Sequence, residues 1–131
     1  MSSTAGRVGR PGSGAYSASK FALAGWSDSL AGEEAPNGVH VGLVLPGFIT
    51  TEGFPQSELT SNRLTRRLVS TPERGAQAIV DAGLGRKAER YVPRPYALAA
   101  AARVLAPRLV RRATGGKAGA RMVTRTSGDE T

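Results

Sequence analysis

A chain of 131 residues with 40% hydrophobic content has material for one small domain and not two, since a domain usually needs on the order of 100 residues. No apolar run reaches the roughly 18 to 20 residues that span a bilayer, and "MSSTAGRVGRPG" lacks the apolar core of a secretory signal, so a cytoplasmic protein with no transmembrane segment is expected. The absence of cysteine removes disulfides, thiolate catalysis and cysteine–zinc sites, the single His40 leaves no metal site to expect, and the net charge of +8 makes its distribution the next question.

Residues 1–14, rich in Ser, Gly and Pro, read as a loop. From Ala15 to about Glu34, Phe21, Leu23, Ala24, Trp26 and Leu30 recur at helical spacing, and "APNG" supplies the stop. In "GVHVGLVLPG", Val39 to Leu45 form a nearly continuous β-branched and apolar run that Pro46-Gly47 ends, as in a strand buried on both faces of a parallel sheet. Residues 48–70 read as irregular and long enough for a substrate lid. "STPERGAQAIVDAGLGRK" reads as a helix capped at Ser70 or Thr71, with Ala76, Ile79, Val80 and Leu84 for burial. "RYVPRP" could form a very short strand. The Ala- and Leu-rich stretch from Tyr96 to about Arg112 reads as helix ended or kinked by Pro107, and the residues after Thr114 as disordered.

The positive excess collects at the C-terminus, where Arg103, Arg108, Arg111, Arg112, Lys117, Arg121 and Arg125 face only Asp129 and Glu130. With no aromatic residue beyond Tyr96 to stack on bases and no zinc-finger spacing, specific nucleic-acid binding is not expected. A solvated basic tail is the first reading, and contact with anionic membrane or RNA the second. His40 and Trp26 read as packing residues.

Tyr16 and Lys20, four positions apart in "GSGAYSASKFAL", would share one face of the first helix. An ammonium beside a phenol favours the phenolate form and makes a usable proton donor and acceptor. Taken alone, the same spacing equally describes two amphipathic side chains reaching for solvent.

Context separates the two readings. "SSTAGRVGRPGSGAYSASKFALAGWSDSL" followed by "GVHVGLVLPGFITT" resembles the active-site segment of the short-chain dehydrogenase/reductase family, NAD(P)-dependent enzymes on a Rossmann sheet, over roughly residues 1–51, with a looser resemblance through "TPERGAQAIVDAG" and "RYVP". The resemblance implies an α/β fold, here the C-terminal part of a doubly wound parallel sheet. It implies an oxidoreductase that moves a hydride between NAD or NADP and a small alcohol or carbonyl substrate, assembled as a homo-oligomer in its full-length form. It makes Tyr16 the acid/base, Lys20 the residue that holds the nicotinamide ribose, and Ser3 the donor to the substrate oxygen, with Ser2 the competing serine. It also places Pro46, Gly47, Ile49 and Thr51 at the nicotinamide end of the cofactor, and Gly14, Ala15, Phe48 and residues 54–68 along the substrate pocket. Ser17 and Ser19 read as small helix-packing residues.

The chain departs from that family in lacking the opening T-G-x-x-x-G-x-G turn, the Asn-Asn-Ala-Gly segment and the residue that selects NAD or NADP. The expected organisation is therefore a partial catalytic domain over residues 1–95 and a basic C-terminal helix with a disordered tail over 96–131, with Met1 read as an interior methionine or the edge of a broken gene. The strand from Val39 to Leu45 has only "RYVP" to pair with, so the chain by itself is expected to be poorly folded, self-associated or dependent on further residues. The alternative reading is a non-catalytic remnant that pairs with related subunits or meets an anionic surface.

Overall fold

The computed structural model describes residues 1–9, 11–50 and 65–115. After a single 3-10 turn at Thr4–Gly6, helix α1 runs Gly14–Glu34 and ends in a second 3-10 turn, Ala35–Asn37, with Gly38 in the left-handed region at φ 72°. Strands β1 (Leu43–Pro46) and β2 (Phe48–Ile49) follow, then a 3-10 turn at Thr65–Leu68, strand β3 (Val69–Ser70), helix α2 (Pro72–Gly83), strand β4 (Glu89–Val92), and helices α3 (Tyr96–Leu105) and α4 (Pro107–Gly115). The break between the last two falls at Ala106, immediately before Pro107, where φ is −135°.

β1 pairs in parallel with β4, Leu43 opposite Glu89 through Pro46 opposite Val92. On its other edge the N-terminal backbone is attached, the Ser2 amide donating to the Val44 carbonyl at 2.8 Å. β1 is therefore interior, and its side chains divide between two layers. Leu43 and Leu45 pack on Ala24 of α1 together with Tyr91, while Val44 packs on Ala78 and Ala82 of α2 together with Val92. A helix on each face of a parallel strand pair is the doubly wound arrangement the apolar run predicts. "RYVP" is its strand partner.

Several boundaries and burial assignments differ from the sequence reading. The strand begins at Leu43, not Val39, because β4 offers only four residues of ladder, and Val39 is exposed. Within residues 48–70, read as irregular, β2 and β3 pair in parallel with Phe48 opposite Val69 and Ile49 opposite Ser70. α1 does not bury its large residues. Ser17 and Ala24 are its buried positions, and Trp26, expected to pack, is 61% exposed. α2 likewise buries Gly75, Ala78 and Ala82 and leaves Ile79, Val80 and Leu84 outside. Both helices lie close to the sheet, and only small side chains fit between. His40 is satisfied as expected, its Nε2 lying 2.8 Å from the Ala82 carbonyl. The expected disorder after Thr114 falls, beyond Gly115, outside the described residues.

Charged groups close the layers. Arg7 forms ion pairs with Glu89 at the start of β4 and, at 3.5 Å, with Asp28 of α1. Burial works to lower the Arg7 pKa, but Glu89, with help from Asp28 and Tyr91, carries it above its ordinary value. The Tyr91 hydroxyl donates to Glu89 Oε2 at 2.8 Å, and burial first, then that bond to Glu89, pushes its pKa up to about 12. On the other face, Asp81 of α2 pairs with Arg90 and is held below the usual carboxylate range by hydrogen bonds from Gln77 and Arg90.

Candidate active site

β1 ends at Pro46 and the chain turns at Gly47, at the carboxyl end of the strand, where open α/β sheets bind ligands. The Gly47 amide donates to the Val92 carbonyl at 2.8 Å, which ties the turn to the end of β4. The ring of Tyr96, the first residue of α3, covers Gly47 so closely that a Cβ there would overlap it. The Tyr96 hydroxyl donates to the Leu68 carbonyl at 3.2 Å.

Ser3 stands beside this turn. As N-cap of the Thr4–Gly6 turn it accepts from the Ala5 amide at 3.2 Å, and its hydroxyl donates to the Pro46 carbonyl at 3.3 Å. Ser2, by contrast, is buried and donates to the Lys20 carbonyl at 2.9 Å. Gly6 completes the junction: a Cβ there would sit 2.5 Å from the Lys20 carbonyl oxygen, so the turn carrying Ser3 can nest against α1 at Lys20 only with glycine at that position.

Tyr16 and Lys20 occupy the first turns of α1, with Lys20 Nζ 5.4 Å from the centre of the Tyr16 ring. Tyr16 is 47% exposed and Lys20 half-buried, and among the described residues no carboxylate pairs with the ammonium. An ammonium held over a phenol ring is a favourable arrangement in itself, and it leaves both polar tips open to a third group. Ser17 is buried with no hydrogen-bond partner for its hydroxyl among the described residues, whereas Ser19 is exposed and donates back to the Tyr16 carbonyl at 2.8 Å.

The structure thus brings Ser3 to Pro46 and Gly47, and Tyr16 to Lys20, and joins the two groups where Gly6 meets Lys20. Ile49 lies in β2, registered with Ser70, its Cδ1 packed near Gly75 of α2. Thr51, with most of the 54–68 pocket segment, lies outside the described residues. Tyr96 was not among the expected site residues. The only sign of it in the sequence is an aromatic residue opening a helix just after a short strand.

Residues 1–62 match the family model described as short chain dehydrogenase. The chain is also 36% identical over 106 residues to the 3-dehydrosphinganine reductase of Danio rerio, a match covering 76% of this chain and 32% of the relative. The chain belongs to the short-chain dehydrogenase family. Other relatives are the uncharacterized oxidoreductase YbbO of Escherichia coli K12, 50% identical over 50 residues (38% of this chain, 19% of the relative), and the 3-oxoacyl-[acyl-carrier-protein] reductase FabG of Salmonella typhimurium, 37% identical over 83 residues (63% and 30%). In each case the chain spans about a third or less of the relative's length. No solved structure matches it.

Proposed function

We propose that this short-chain dehydrogenase is an NAD(P)-dependent oxidoreductase that interconverts an alcohol and a carbonyl, with Tyr16 as its acid/base. The observation that carries the reading is the Tyr16–Lys20 pair in the first turns of α1, the tyrosine exposed and the lysine half-buried, with no competing carboxylate among the described residues. The residues fit the nicotinamide riboside end of such a cofactor: the Tyr16–Lys20 pair offers two polar tips, and a serine hydroxyl stands beside the Pro-Gly turn at the carboxyl end of β1. A glycine-rich turn for the diphosphate is not present in the sequence. When bound, the nicotinamide supplies or accepts the hydride. Tyr16 Oη gives its proton to the substrate oxygen in the reducing direction and takes it back in the other. Lys20 Nζ holds the ribose hydroxyls and supports the phenolate that forms. Ser3 Oγ, partly exposed, turns its O–H from the long bond to the Pro46 carbonyl to the substrate oxygen as charge develops there, whereas Ser2 Oγ is buried against the Lys20 carbonyl and does not compete. Pro46, Gly47 and Ile49 line the nicotinamide side. A homo-oligomer, paired through the face of α1 that exposes Trp26, belongs to the same proposal.

Nucleotide binding and turnover on the chain test it. Tyr16→Phe is expected to lower turnover about a hundredfold or more with dinucleotide affinity retained, as befits loss of a general acid. Lys20→Ala is expected to weaken the affinity. No dinucleotide binding at saturating concentrations would overturn the reading in favour of a non-catalytic remnant.

A further inference from the structure

Helix α3 is turned inside out. Along one arc its outward residues are Ala97, Leu98, Ala101, Val104 and Leu105, all exposed, with Leu98 at 75%, Val104 at 78% and Leu105 at 83%. Its one charged residue, Arg103, is half-buried on the opposite side. At about 100° per residue those five positions occupy roughly a third of the helix circumference, the arc a surface helix ordinarily gives to charge. α4 extends the same character. Leu109, 68% exposed, stands between the exposed Arg108 and Arg112, while Val110 turns inward to share a cleft with Phe21 of α1.

An outward apolar face of this kind calls for a cover, and the charges beside it select which. Arg108 and Arg112 stand exposed beside it, and residues 96–115 carry no aspartate or glutamate. A second copy laid on this face would set arginine against arginine with no carboxylate between them, a like-charge juxtaposition that opposes pairing. A bilayer of anionic lipid satisfies both features. The leucines and valine enter the acyl boundary, and the arginines stay level with the phosphates while their stems lie along apolar surface.

We propose that α3 and α4 form an interfacial docking surface for anionic lipid, on which the protein lies without crossing it. No helix among the described residues is long and apolar enough to span a membrane. The inference goes beyond the proposed chemistry and is independent of whether Tyr16 turns over substrate.

Flotation of the full chain with phosphatidylcholine vesicles, with and without phosphatidylglycerol, tests it. The chain is expected to float with the anionic vesicles and to lose that binding as salt is raised. Arg108→Gln and Arg112→Gln should each lower partitioning about fivefold. The double variant Leu98→Ser/Leu105→Ser should lower it at least about tenfold while leaving the circular dichroism spectrum unchanged, because both side chains already face solvent. Four results would overturn the proposal. The chain could stay at the bottom of the gradient with both vesicle types. It could float equally well without the two leucines. Or, free of lipid, it could form an oligomer that the leucine variant dissociates, or a monomer whose Leu98 and Leu105 resist surface labelling, which would assign the face to a second copy or to the chain's own residues.

Discussion

Two adjacent serines, Ser2 and Ser3, have opposite surroundings. Ser2 Oγ is buried against the Lys20 carbonyl, whereas Ser3 Oγ caps a turn and faces Pro46. Ser2→Ala should therefore cost about 1 kcal/mol of stability, the net worth of one buried hydrogen bond, and leave turnover in place. Ser3→Ala should do the reverse, lowering turnover at least about tenfold through loss of a donor to the substrate oxygen. Denaturant melts and initial rates on the two variants check this, and an inactive Ser2→Ala beside an active Ser3→Ala would exchange their roles. The sequence offers Ser3 through its spacing from Tyr16, but the hydrogen bonds that distinguish it from Ser2 come from Lys20 and Pro46, residues that only folding brings near. Tyr96 shows the same limit more plainly. Its contact with Gly47 depends on a chain reversal that no local pattern encodes.

For the helices, position was legible and orientation was not. The apolar spacing and the Asn-Gly stop give α1 within a residue of its ends, yet the large residues that catch the eye are the exposed ones. Two interleaved sets share nearly the same period on each helix: Ala24 beside Phe21 and Trp26 on α1, Ala78 and Ala82 beside Ile79 and Val80 on α2. Periodicity cannot choose between them, and the closeness of strand to helix, which admits only small side chains, decides it. The large residues left outside on α1 offer a surface for the proposed pairing of copies. Trp26→Ser should lower the sedimentation mass of the protein without lowering its helix content, since that ring is 61% exposed and contributes little to the fold. An unchanged mass would remove α1 as the pairing surface.

Across the whole molecule, the doubly wound class follows from one stretch, Leu43 to Leu45, whose alternate side chains are each taken up by a different helix. The charged closure of these layers was invisible in sequence, because Arg7, Asp28 and the Glu89–Tyr91 pair of β4 come from three separate segments. It has a pH signature. The Tyr91 phenol titrates at about 12 in the fold, against about 10 for an unfolded chain, so the folded form binds the extra proton between those values. Its contribution is complete below pH about 10 and is lost as pH rises through about 12. Relative to Tyr91→Phe, the wild type should be more stable at neutral pH, and the gap should shrink over that alkaline window in thermal melts; a gap that stays constant through it would refute the assignment.

The stripe of small residues by which α1 meets the sheet has a further consequence. Ala24, 1% exposed against Leu43 and Leu45, acts as a spacer, and the helix that rests on it also carries Tyr16. The height of the phenol above the sheet is thus gauged by the thickness of one methyl group. A bulkier side chain at Ala24 would tilt the rod and lift Tyr16 away without touching any reacting atom. The tolerance of the chemistry is set by a residue that has none of its own.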